Sequence, residues 1–125
     1  FTTALPPAVA AATRVALRLC REEDWRRERL VDLIARFRRE AGTLGLRLLD
    51  SDTPIQPILI GEERAAVAAS EALLDAGLWI AAIRPPAVPK GSSRLRITLS
   101  AAHSDADLDR LLEALSRLVR TGLLA

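Results

Sequence analysis

The chain has 125 residues, half of them hydrophobic, with 18 basic and 16 acidic residues and a formal net charge of +2. This length allows one compact domain. The basic residues alternate with acidic ones, which argues against nucleic-acid binding. No apolar run is long enough to cross a membrane. Because Cys20 is the only cysteine, an internal disulfide and a thiolate zinc cluster are excluded, and its apolar neighbours predict a small buried side chain. Without a recognisable signal peptide, we expect a cytoplasmic location.

The first third of the chain predicts two helices. Residues 1–7 are extended, and the alanine-rich stretch from there to about residue 21 is typical of a helix that begins with proline in its first turn. A second helix follows the acidic residues Glu22, Glu23 and Asp24, since negative charge favours a helix N-terminus. Its predicted core stripe has the helical spacing of three and four: Leu30, Leu33, Ile34, Phe37 and Ala41. Gly42 and Gly45 should loosen or end this helix.

The remaining residues predict a small α+β domain. The predicted elements, in chain order, are a short strand at 46–49, a connector at 50–54, a strand at 55–60, a helix at 62–76, a strand at 78–83, a strand at 94–99 and a helix that begins after Ser104. From residue 55 the order is β-α-β-β-α, which favours a mostly antiparallel sheet with helices on one face. We therefore divide the chain into a helical segment, 1–45, and a small domain, 46–125. The last residues, 121–125, should fray.

Residues 83–104 carry the most informative pattern. Pro85, Pro86 and Pro89 stiffen the backbone, and the turn around Gly91 leads into a strand that alternates polar and apolar residues. This alternation puts Arg94, Arg96 and Thr98 on one face. Such arginines are most often simply solvated, but a guanidinium also suits bidentate binding of a carboxylate or phosphate.

The same residues resemble a known enzyme family. V-P-x-G-x-x-R-L-R in residues 88–96, followed by S-A-A-H in residues 100–103, resembles the C-terminal signature of the α-oxoamine synthases, which condense an amino acid with an acyl thioester using pyridoxal phosphate. F-T-T-A-L-P-P in residues 1–7 and S-D-T-P-I-Q-P in residues 51–57 resemble two further segments of that family, in the same order. Asp52 departs from the histidine of the family pattern.

The resemblance implies specific roles for a few residues. Arg96 is expected to bind the carboxylate of the amino-acid substrate, and Thr2 to reach the cofactor phosphate of the neighbouring subunit in a homodimer. The lysine that holds the cofactor lies upstream of the matched segments in this family, and Lys90, the only lysine here, does not correspond to it. We therefore expect a C-terminal fragment without catalytic residues of its own. For His103, a hydrogen-bonding role at a strand–helix junction is favoured over catalysis, and a lone histidine predicts no metal site.

Two alternatives remain open at this stage. Residues 84–89 and 53–57 resemble one branch of the family more than its glycine C-acetyltransferase and 5-aminolevulinate synthase branches, but all branches share the arginine at position 96. A β-α-β-β-α unit is also the shape of small regulatory modules that bind amino acids, so a stand-alone module of that kind is the rival from another functional class.

Overall fold

The computed structural model describes residues 3–124 of the chain. Four helices and three strands follow one another in the order α1 Pro7–Glu22, α2 Trp25–Thr43, β1 Ile55–Gly61, α3 Glu63–Asp75, β2 Ala81–Ile83, β3 Ser93–Thr98 and α4 Asp105–Arg120. The three strands form one antiparallel sheet in the order β1-β3-β2. The predicted α+β class and the β-α-β-β-α order are therefore confirmed. None of the helices in the described part is both long and apolar enough to span a membrane.

The alternation of β3 separates a buried face of the sheet from an open one. Leu95 and Ile97 are buried under the helices, whereas Arg96 and Thr98 are exposed on the opposite side. On β1, the buried position Ile58 pairs with Leu95, and the less buried Pro57 pairs with Arg96. The register therefore aligns apolar side chains across the strands on the helix-covered face.

The core lies between this buried face and helices α2, α3 and α4. The predicted stripe of α2 supplies four buried residues: Leu33, Ile34, Phe37 and Ala41. The stripe of α4 supplies Leu108, Leu111, Leu112 and Leu115, together with Ala114. Ion pairs join the same two helices at their exposed edge, where Arg36 contacts both Asp105 and Asp109, and Arg29 lies 3.1 Å from Asp105. The guanidinium of Arg29 lowers the pKa of Asp105 through its hydrogen bond.

The predicted start of α4 at Ser104 is confirmed. The Ser104 hydroxyl accepts a hydrogen bond from the Asp107 backbone N–H at 3.1 Å, and the Asp107 carboxylate accepts one from the Ser104 backbone N–H at 2.9 Å. These reciprocal bonds form a capping box, which satisfies two backbone donors that the helix itself leaves free.

Two predictions about the N-terminal and C-terminal segments are wrong. Cys20 is exposed rather than buried, because it lies in α1, and none of the residues of that helix, all of which the structure describes, is buried. Residues 121–124 do not fray as predicted, since the Leu124 side chain is 1% exposed and packs in the core. The prediction that Gly42 and Gly45 loosen or end α2 is confirmed at Gly45, since the helix runs through Gly42 to Thr43 and Gly45 follows with a φ of +79°.

Two predicted strands are shorter than expected. Residues 46–49 form only an isolated bridge, between Leu48 and Ile58. β2 begins at Ala81 and not at residue 78, because the carbonyl of Ile80 accepts a hydrogen bond from the Ser70 hydroxyl of α3. Residues 77–80 therefore do not pair with β3, and they line a cleft beside it.

Candidate functional site

Arg96 occupies the centre of the open face of the sheet. It lies on β3, the middle strand, and its cross-strand partners are Pro57 on β1 and Ala81 on β2. Both partners have short side chains, so neither can cover the guanidinium. The Arg96 side chain makes no hydrogen bond or ion pair within residues 3–124. The guanidinium is consequently available to an external anion.

Arg94 shares this face but differs from Arg96 in its contacts. Its Nε donates a hydrogen bond to the carbonyl of Ser92 at 3.0 Å, and the side chain is partly buried. The loop before β3 is held in turn by the Ser92 hydroxyl, which donates to the carbonyl of Pro89 at 2.7 Å. Arg94 is therefore partly committed to the loop, and the structure separates the two arginines that the alternation pattern alone treats as equivalent.

His103 forms the junction between β3 and α4, as predicted. Its Nδ1 accepts a hydrogen bond from the backbone N–H of Ser100 at 3.1 Å, and its own backbone N–H donates to the Ser100 carbonyl at 3.0 Å. A neutral imidazole whose Nδ1 accepts carries its proton on Nε2, so the ring presents a donor on its other side. The imidazole also lines the cleft beside β3.

The cleft has a volume of about 450 Å³ and lies between residues 77–81, the end of β3 and the first turns of α4. Apolar side chains from three elements form its floor: Leu33, Ile97, Leu99, Leu108 and Leu111. Polar side chains stand around its rim: Arg96, Thr98, His103, Asp107 and Arg110. The pKa of Asp107 is lowered by the hydrogen bonds it accepts from the Ser104 hydroxyl and backbone. Sequence reasoning missed this cleft because strand pairing was expected to continue back to residue 78.

Gln56 is a second residue whose structural role was not predicted. Its side chain is fully buried, donates to the carbonyls of Ser51 and Thr53 at 3.1 and 2.6 Å, and accepts from Arg38 at 2.8 Å. These bonds fix the connector before β1 onto α2. A lone amide in the otherwise apolar strand Ile55–Gly61 was the available signal, since buried polar groups are normally fully bonded.

Thr2, Lys90 and possible metal ligands are the remaining positions considered from the sequence. Thr2 lies outside the described residues. Lys90 is exposed in the loop between β2 and β3 and makes no ion pair or hydrogen bond with any residue in 3–124. Within that same range no group of three histidine, cysteine, aspartate or glutamate residues could hold a metal ion.

The chain is similar in sequence to enzymes named 8-amino-7-oxononanoate synthase. The chain is 63% identical over 115 residues to the 8-amino-7-oxononanoate synthase of Pseudomonas paraeruginosa, covering 92% of this chain and 29% of the relative. It is 58% identical over 120 residues to the enzyme of the same name from Thioalkalivibrio sulfidiphilus, covering 96% of this chain and 31% of the relative. The chain thus spans about 30% of the length of the curated relatives it matches.

A solved structure shares the fold across nearly the whole chain. Serine palmitoyltransferase from S. paucimobilis, with a bound aldimine of PLP and myriocin, superposes with a TM-score of 0.86 at 29% sequence identity. The match covers 97% of this chain and 31% of that one. The family model for aminotransferases of class I and II matches residues 1–115. The chain therefore belongs to the aminotransferase class I and II family.

Proposed function

We propose that this chain is the C-terminal part of an 8-amino-7-oxononanoate synthase. The whole enzyme would condense L-alanine with a pimeloyl thioester, carried by coenzyme A or by an acyl carrier protein, releasing carbon dioxide and the thiol carrier. Support comes from relatives of that name at 58–63% identity. The single structural observation that carries the proposal is the unpartnered guanidinium of Arg96 at the centre of an open sheet face.

Arg96 would bind and orient the amino-acid substrate. An amino-acid carboxylate is planar with two acceptor oxygens, and the guanidinium fork can donate two parallel hydrogen bonds to it. The short side chains of Pro57 and Ala81 leave space for a ligand on both sides of the arginine. Fixing the carboxylate holds the α-carbon in one orientation, which is how such clamps contribute to catalysis.

Pyridoxal phosphate would be the cofactor of the whole enzyme, as it is bound in the serine palmitoyltransferase structure. It supplies the electron sink that carbanion chemistry at an α-carbon requires. The described residues do not fit an anchoring site for this group, because Lys90 is exposed and no acidic side chain contacts it. Cofactor anchoring would therefore depend on a large domain of the whole enzyme.

The same proposal covers the partners and the domain division. Thr2 would donate its hydroxyl to the cofactor phosphate of the second subunit in a homodimer, a contact for which a neutral hydroxyl is chemically suited. Residues 1–45 would join the large domain to the small domain, 46–125. Exposed apolar side chains on α1, among them Val15 and Leu17, support a covering surface elsewhere in the enzyme. We also assign the enzyme to the cytoplasm.

The test is an Arg96→Lys substitution in the whole enzyme, with Arg94→Lys as the matched control on the same strand face. Lysine keeps the charge but cannot make two parallel hydrogen bonds. Hydrogen bonds to charged groups contribute about 1.5–3 kcal/mol each, so the KM for alanine should rise roughly ten- to hundredfold. The KM for the acyl thioester should change little, because this contact involves only the amino acid.

The alternatives give different results. If Arg94→Lys raises the alanine KM and Arg96→Lys does not, Arg94 and not Arg96 binds the carboxylate. A parent enzyme that turns over glycine and not alanine would indicate a glycine C-acetyltransferase or a 5-aminolevulinate synthase. Amino-acid binding without any acyl transfer would favour the stand-alone regulatory module.

A further inference from the structure

The cleft beside β3 has the dimensions and lining of a ligand site. Its volume of about 450 Å³ falls within the range of roughly 300–1,000 Å³ that small-molecule sites occupy. Leu108 and Leu111 of α4 and Leu33 of α2 give it an apolar floor. Trp79, which is 92% exposed, stands on the wall formed by residues 77–80. An exposed tryptophan beside an apolar floor favours an aliphatic ligand.

Arg110 lines the same cleft from α4, next to the turn at Gly77. One of its terminal nitrogens lies 3.4 Å from the position that a Cβ on Gly77 would take. Gly77 has a φ of +78°, so glycine is favoured there by the backbone and also leaves room for the guanidinium. The Arg110 side chain makes no ion pair or hydrogen bond within residues 3–124.

Neither of the two acidic residues just before Arg110 forms an ion pair with it: Asp109 contacts Arg36, and Asp107 caps α4, although the positive charge of Arg110 helps to lower the pKa of Asp107. Asp107, one helical turn earlier, accepts hydrogen bonds from the Ser104 backbone N–H and hydroxyl at 2.9 and 2.7 Å. Its carboxylate is thus used to cap α4. The cleft consequently contains an apolar floor and two arginines whose guanidinium groups make no hydrogen bond or ion pair in the described part of the chain, Arg96 beside β3 and Arg110 beside the turn at Gly77.

An apolar floor with a free guanidinium suits a ligand that has an aliphatic chain ending in a carboxylate. The compound in the name of the relatives, 8-amino-7-oxononanoate, has this composition: an amino ketone at one end, a chain of methylenes and a terminal carboxylate. We propose that the cleft binds this aliphatic chain and that Arg110 binds its terminal carboxylate. This inference rests on the proposed function and adds the residue that selects the acyl group.

The chain itself allows a direct binding experiment. The probe is 8-amino-7-oxononanoate, compared with its methyl ester, which keeps the length and lacks the negative charge. Trp79 fluorescence reports binding in a Trp25→Phe background, because these two residues are the only tryptophans. Losing one charge-assisted hydrogen bond corresponds to about a tenfold change in affinity. We expect the acid to bind about tenfold more tightly than the ester.

Two variants on α4 identify the residue responsible. Arg110→Gln should abolish the difference between acid and ester, whereas Arg120→Gln should preserve it, since Arg120 is also exposed on α4 but lies outside the cleft. Both arginines are exposed, so neither substitution should disturb folding, and circular dichroism checks this. Equal binding of acid and ester by the parent chain would overturn the role of Arg110, and no change in Trp79 fluorescence with either probe would overturn the site.

A kinetic measurement separates this inference from the proposed function. In the whole enzyme, Arg110→Gln should raise the KM of the acyl donor about tenfold and leave the KM of alanine unchanged. If the enzyme forms the product and this substitution has no effect on the acyl KM, the inference fails alone. If the chain binds the acid through Arg110 but the whole enzyme does not form the product from alanine, the proposed function fails and the binding site remains.

Discussion

The buried amide of Gln56 permits a quantitative prediction about stability. Its side chain is fully buried and makes three hydrogen bonds, to the carbonyls of Ser51 and Thr53 and with the guanidinium of Arg38. Gln56→Leu removes all three bonds and replaces the amide with an apolar group of similar size. The substitution therefore tests the polar network with little contribution from a new cavity.

The expected destabilisation is about 3 kcal/mol. Two neutral hydrogen bonds contribute roughly 1 kcal/mol each and the bond from a charged donor roughly 1.5 kcal/mol or more, and partial hydration of the freed groups reduces this sum. Arg38 is only partly buried and also donates to the carbonyl of Leu49 at 3.1 Å, so it retains one partner. A loss of this size is a large fraction of the roughly 5–15 kcal/mol by which small domains are stable.

Urea unfolding of the parent chain and the variant measures the change in the free energy of unfolding. Arg38→Met is the companion variant, and the double variant completes the cycle. Because both single changes remove the same hydrogen bond, their effects should sum to more than the effect of the double variant. A loss below about 1 kcal/mol for Gln56→Leu, or strict additivity in the cycle, would refute the reasoning.

Three further predictions concern titration, association and cofactor binding. Hydrogen bonds from Ser104 hold the pKa of Asp107 below its ordinary value of 3.8. The charged Asp107 carboxylate therefore stabilises the folded chain fully above pH 3.8, and this stabilisation is lost as the pH falls through the lower pKa of the folded state. Asp107→Asn should therefore be less stable than the parent at neutral pH, with a difference that shrinks in acid unfolding experiments below pH 3.8. The uncovered apolar surface of α1 should cause self-association, which sedimentation and a spin label on Cys20 can detect; concentration-independent label mobility and a monomeric mass would argue against it. The purified chain should not bind pyridoxal phosphate covalently, so after dialysis no stoichiometric visible band should remain, and a band that disappears in Lys90→Arg would contradict this.

Much of the fold could be predicted because its determinants are local. The spacing of Leu33 and Phe37 on α2 is a property of the helix alone, and the alternation along β3 separates Leu95 from Arg96 without any tertiary information. The cap at Ser104 needs only the three residues that follow it. These features depend on neighbours within one turn of helix or one strand, so the sequence pattern was sufficient.

The errors arose where distant contacts decide the outcome. Cys20 has apolar neighbours in sequence, but α1 has no extensive packing contact with another described element, so its apolar residues stay exposed. Leu124 is buried because the chain turns back onto the core after α4, which no local pattern reports. β2 is short because Ser70, ten residues away, binds the carbonyl of Ile80. The cleft lies beside the unpaired residues that precede β2, so the sequence pattern alone could not predict it.

The exposure of Arg96 on the open face depends on the register of β3 and not only on its sequence. A slip of one residue against β1 would put Arg96 opposite a position on the core side, such as Ile58, and would move Leu95 and Ile97 to the open face. The pairing of Gln56 with Ile97 opposes this slip, since the amide must stay buried to reach Ser51 and Thr53. The irregularity between Leu59 and Gly61 then absorbs the extra residue at the other end of the strand. The buried amide at one end of the pairing therefore helps to keep the guanidinium exposed on the face where the carboxylate is proposed to bind.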